Sequence, residues 1–106
     1  MTDQLKGKTI AILATDGVEQ IELDSPRQAL IAAGAEVHLV SLKAGTIQGF
    51  DHLTPDQTFE VDRTVADADA SDYTGLMLPG GVANPDLLRA DEQAVAFVKA
   101  FFDAGK

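Results

Sequence analysis

The apolar positions of this chain switch between two spacings. Residues 8–14, Lys-Thr-Ile-Ala-Ile-Leu-Ala, form a short and nearly continuous apolar run. Such a run suits a parallel strand covered on both faces. Asp16-Gly17 breaks it, and from Ile21 the apolar residues fall at helical spacing through Leu23, Ala29, Leu30, Ile31 and Ala33. Asp24-Ser25 ahead of Pro26 reads as a helix start, because proline fits a first turn. The spacing therefore predicts a brief helical turn over 19–23 and a main helix over 25–33, with Gly34 as its left-handed cap. Residues 36–42, Glu-Val-His-Leu-Val-Ser-Leu, return to a strand pattern. Strand, helix, glycine turn and strand make a right-handed βαβ unit.

The middle of the chain is more polar. Residues 45–49 and 59–62 read as short strands of a small side ribbon, separated by a proline-bearing loop over 52–57. An acidic connection over 67–72, as plain chain or a loose turn of helix, leads to a third buried strand at 75–79. A short helix is expected at 85–89. Asp91 then caps a longer helix with Ala94, Val95, Val98, Phe101 and Phe102 on one side, ended by Gly105. The predicted order gives three parallel core strands of a doubly wound sheet, with the 75–79 strand left at an edge. An apolar edge invites pairing with another chain, and the phenylalanines of the last helix need cover.

Composition narrows the chemistry. The 106 residues, 45% hydrophobic, suit one small globular domain over 1–106. A formal charge of −9 disfavours contact with phosphate backbones, so no nucleic-acid partner is expected. With no cysteine, the chain carries no disulfide, thiolate metal site or thiol chemistry of its own. Its two histidines, His38 and His52, have no ligand spacing around them, so no metal is expected. His38 lies in a predicted strand and reads as structural, His52 as a surface residue. Residues 1–7 are polar and the run over 10–14 is too short for a signal core or a membrane span, so a cytoplasmic location is expected.

Two places carry candidate chemistry. Glu19 and Glu22, spaced i, i+3 after the first strand, put two carboxylates on one face of a helical turn. Open α/β sheets place their ligand crevice at such strand ends. The same acids also suit a first turn by offsetting the helix dipole. Gly80 and Gly81, closing Leu78-Pro79-Gly80-Gly81, let backbone approach a ligand and turn N–H groups toward an oxyanion, or make a plain tight turn. Asp16 stands where receiver-type signalling domains hold a metal-binding acid, but Pro79-Gly80-Gly81 occupies the place of the second aspartate such a domain needs. Asp67, Asp69 and Asp72 lack the glycine and glutamate of a calcium loop.

Taken together, Ile10-Ala11-Ile12-Leu13, the run from Gly17 to Leu23, Ser25-Pro26, the run from Ala33 to Val37, the run from Gly45 to Gly49, the Leu-Met-Leu-Pro-Gly-Gly strand end and the closing Ala104-Gly105-Lys106 resemble the ThiJ/PfpI superfamily. The likeness is greatest to its PfpI-type branch of intracellular proteases and general stress proteins. It implies a flavodoxin-like three-layer sandwich with a mostly parallel sheet, incomplete in this chain. It implies a cysteine at a strand-to-helix elbow followed by histidine, beyond Lys106, with Glu22 bonded to the sulfur, Glu19 as a second acid, and Gly80 and Gly81 beside the oxyanion. The implied activities are peptidase, glyoxalase or deglycase, without a cofactor, on a peptide or small aldehyde. The implied assembly is a homo-oligomer or a complex with a complementing C-terminal chain. Lacking the Cys-His elbow, the chain alone is expected to be inactive. The alternative is a non-catalytic stress-response or redox-sensing interaction protein of the same fold.

Overall fold

The computed structural model describes residues 4–80 and 88–105. The first apolar run forms β1 (Thr9–Leu13), and after a turn at Gly17 (φ 92°) two residues make β2 (Val18–Glu19). Helix α1 (Gln20–Ala32) follows directly. It is one helix, which corrects the expected break before Ser25: Pro26 lies inside it. A proline in a helix interior removes one bond, here the one an N–H would donate to the Glu22 carbonyl, and its ring crowds that carbonyl. Tertiary packing of Leu23, fully buried on this helix, outweighs that local preference. Gly34 (φ 97°) ends α1 as expected, with Gly34 N–H on Ile31 O and Ala35 N–H on Leu30 O, both at 3.0 Å.

Strand β3 (Glu36–Ser41) lies parallel to β1, with Ile10 opposite Val37 and Ile12 opposite Leu39. The side ribbon is β4 (Thr46–Asp51) against β5 (Thr54–Glu60), antiparallel, with β2 added parallel to β4. The expected loop over 52–57 is therefore mostly strand. Pro55 is accommodated because β5 is an exposed edge strand, where an N–H has no obligatory partner. A bulge sets Asp56 and Gln57 opposite Gly49, whose position leaves no room for a Cβ: one would sit 2.6 Å from the Phe59 ring.

Two further residues, β6 (Arg63–Thr64), pair with β3, a strand the sequence does not announce. The acidic connection contains a 3₁₀ turn at Ala70–Asp72, and β7 (Gly75–Met77) pairs with β1. The main sheet is thus four parallel strands in the order β6-β3-β1-β7, with the expected third core strand at one edge. The predicted 85–89 helix lies largely outside the described residues. Helix α2 (Glu92–Asp103) is capped by Asp91, whose Oδ1 accepts the Ala94 N–H at 2.9 Å.

The two faces of the sheet have different covers. Ala11, Leu13 and Val40 pack with Tyr73 and with Phe97 and Phe101 of α2. Ile12, Ala14 and Leu39 pack with Val18, with Leu23 of α1, and with Ile47 and Phe59 of the ribbon. This is a three-layer α/β arrangement. The buried stripe of α2 is Ala94, Phe97 and Phe101 with Val98 packed against it; Ala94, Val98 and Phe101 agree with the expected face, but Val95 and Phe102 are exposed, Phe102 to 78%. No helix among the described residues is long and apolar enough to cross a membrane.

Candidate functional site

The carboxyl ends of β1 and β7 bring the two sequence motifs together. Past β1, Asp16 Oδ1 accepts the Gln48 N–H at 2.8 Å and Gly17 N–H reaches Gln48 O at 3.0 Å. These bonds hold the turn to the ribbon and give Asp16 a structural role. They also fix where α1 begins, with Glu19 as its N-cap and Glu22 in its first turn.

Past β7, Leu78-Pro79 carries the chain to Gly80, 58 residues from Glu22 in sequence. The Gly80 N–H is donated to Glu22 Oε1 at 3.1 Å, and the Gly80 carbonyl accepts the Glu19 N–H at 3.0 Å. One glycine is thereby joined to both acids. Its lack of a side chain is required, since a Cβ there would collide with Glu22 Oε1. Gly81 lies outside the described residues.

The carboxylates differ in setting. Glu22 is exposed, and Oε1 is its bonded oxygen among the described residues. Glu19 is half-buried and does not cap its helix through its side chain; Oε2 instead accepts the backbone N–H of His52 at 2.9 Å. His52 (φ 60°) sits at the tip of the β4–β5 hairpin, its Nδ1 3.0 Å from Asp51 Oδ1. The Asp51 hydrogen bond, then the negative charges of Glu19 and Asp51, raise the His52 pKa above 6.5. Ligand atoms of Glu19, Asp51 and His52 lie within 4.8 Å of one another, which is the grouping among the described residues that could converge on a cation. Sequence reasoning missed this contact because 33 residues separate Glu19 from His52 and only the hairpin brings them together. His38 is structural as expected, held between Tyr73 Oη at 2.9 Å and Glu36 Oε2 at 2.6 Å.

Beside Gly80 opens an apolar cavity of about 680 Å³, lined by Leu13, Leu78, Leu88, Val98 and Phe102 among others. It is walled by residues 78–80, just past β7, and by the exposed row of α2. The arrangement joins an acid, a backbone amide and an apolar wall at one strand end.

Residues 8–106 match the sequence profile of the DJ-1/PfpI family. The chain belongs to that family. Among DJ-1/PfpI relatives, YraA of Bacillus subtilis, whose name assigns it provisionally to the cysteine proteases, is 41% identical over 93% of this chain and 56% of its own length. Deglycase TK1284 of Thermococcus kodakarensis is 36% identical, over 92% of this chain and 55% of its own length. General stress protein 18 of Bacillus subtilis is 38% identical, over 90% and 54%. The chain therefore spans about half the length of the curated relatives it matches. Among solved structures, a two-domain protein of Anabaena variabilis with DJ-1/ThiJ/PfpI-like and ferritin-like domains superposes with a TM-score of 0.85 at 30% identity, over 93% of this chain and 28% of that one. The flavodoxin-like architecture of the DJ-1/PfpI fold is thus shared.

Proposed function

We propose that residues 1–106 supply the acid-bearing N-terminal portion of a cysteine-dependent stress-protection enzyme of the peptidase, glyoxalase or deglycase kind. The contact between Gly80 and Glu22 supports this reading: two segments with no local reason to meet are joined at the carboxyl end of the sheet, where open α/β sheets place their ligands. The names of the relatives, cysteine protease, deglycase and stress protein, support the reaction class. The nucleophile comes from polypeptide other than residues 1–106, which hold no cysteine. In the assembled site a thiolate attacks an electrophilic carbon of an aldehyde or acyl compound, and the electrons of the C=O bond move onto oxygen. The glycine loop at Gly80 and Gly81 receives that charge on backbone amides. Glu22 hydrogen-bonds the sulfur. Glu19 braces the loop from the other side. The setting is a cytoplasmic one, and the site is completed by a complementing C-terminal segment or within a homo-oligomer.

The test compares two proteins. Purified 106-residue material should show no turnover of methylglyoxal or a peptide. The longer form carrying the thiol should turn over, and Glu22→Gln should reduce its kcat/KM by about 10²-fold or more. Turnover by the 106-residue chain, or full rate in the variant, contradicts the proposal. The absence of a nucleophile from this chain favours one competing reading, a non-catalytic interaction protein of the same fold. A longer form with the thiol and no activity on either substrate would support it.

A further inference from the structure

The hydrogen bond at Gly80 does more than join two segments. Its N–H is one of the amides a glycine loop would offer to an oxyanion, yet in this structure it is donated to Glu22 Oε1. The other side of the same residue is also engaged, through its carbonyl on the Glu19 N–H. The peptide groups around Gly80 are therefore held by the start of α1 at both polar atoms, and they cannot turn without releasing both.

A carboxyl group has two oxygens, and a bound proton sits on one of them. An N–H donor facing one oxygen favours that oxygen as the acceptor. We propose that the Gly80 amide is a positioning group for Glu22: it claims Oε1 as an acceptor, so that a proton carried by Glu22 sits on Oε2. Among the described residues no group bonds Oε2. Oε2 then donates outward to the reacting atom, with its direction fixed by the backbone and not by a side-chain rotamer. This rests on the catalytic reading above and replaces one assignment in it, because the Gly80 amide then serves the acid in place of the oxyanion. It also gives a reason for glycine at position 80 that a plain turn does not: this residue has no positive φ to require it, and any Cβ would displace Oε1.

The contact is measurable without the sulfur, in the 106-residue chain, by following backbone amides and the Glu22 carboxyl carbon with NMR from about pH 3 to 7. The Gly80 amide proton should move with one midpoint, shared with the Glu22 carboxyl. Glu22→Gln, on an exposed helical turn and still offering an acceptor oxygen, should abolish that excursion. Gly80→Ala should lose it as well. Gly75→Ala, on the same stretch of chain with only Ile10 Cδ1 at 3.4 Å from the new carbon, should keep it. Glu19, Asp51 and His52 are further ionisable groups near this end of α1, and all three persist in Glu22→Gln. An excursion that survives that variant would belong to them and would overturn the proposal. A flat Gly80 amide in the parent chain would overturn it too, as would an excursion retained in Gly80→Ala. Glu22→Gln changes an exposed side chain to one of nearly the same shape, so it is expected to fold and keeps the test decisive even if Gly80→Ala does not fold. Failure of the catalytic reading is separate: it shows as full turnover by Glu22→Gln in the longer protein.

Discussion

At the scale of single residues, Tyr73 bears more than its neighbours. It is 4% exposed, meets Phe97 and Phe101 of α2, and places its hydroxyl 2.9 Å from His38 Nδ1. Burial raises its pKa above the ordinary 10.0, ahead of the smaller lowering by the Arg63 charge. The folded chain holds this proton more tightly than the unfolded one. The stability it contributes is fully present below pH 10.0 and is lost as pH rises through the raised value. We therefore expect the unfolding free energy to fall with pH in the alkaline range more steeply in the parent than in Tyr73→Phe. At neutral pH the variant should be less stable by about 1 kcal/mol, from the lost His38 hydrogen bond. Urea titrations across about pH 8 to 11 would show both effects, and parallel slopes would refute the assignment.

At the scale of elements, Pro26 and Pro55 mark where local reading and packing part company. Pro26 suggested a helix start, but α1 runs through it because Leu23 on the near side anchors the helix to the sheet. The expected consequence is that Pro26→Ala restores the bond to the Glu22 carbonyl and stabilises the chain by about 1–2 kcal/mol, allowing for the extra freedom of its unfolded state. An unchanged or lower urea midpoint would count against this. Pro55 suggested a loop, but an edge strand tolerates it. What was legible had strong periodicity and clear punctuation: β1, β3, the Gly34 turn, the Asp91 cap and the third core strand. What was not legible was short and set by tertiary geometry. The two-residue strands β2 and β6 have no period to read. Helix α2 carries two adjacent apolar rows, Ala94-Phe97-Phe101 and Val95-Val98-Phe102, and the spacing alone cannot say which one the sheet takes. At the candidate site, Glu19, Glu22 and Gly80 could be named as candidates from the sequence, while Gly81 lies outside the described residues. The bond uniting Glu22 with Gly80, and the hairpin tip that meets Glu19, exist only once the ribbon and sheet are assembled.

At the scale of the whole molecule, one side of the sheet is unfinished among the described residues. The outer side of β7 has no strand partner there, and the second apolar row of α2 faces a cavity of about 680 Å³. Exposed apolar surface of this kind, next to an open strand edge, promotes association. Sedimentation of the 106-residue chain should show concentration-dependent assembly, and Phe102→Lys combined with Leu78→Asn should raise the monomer fraction. A parent chain that stays monomeric at every concentration would contradict this. The aromatic cluster offers a way to watch such events. The chain has one tyrosine and no tryptophan, so its near-ultraviolet emission comes from a single ring wedged between the sheet and α2. A change in that light therefore reports the detachment of one helix from one face, and the opposite face can loosen in the dark.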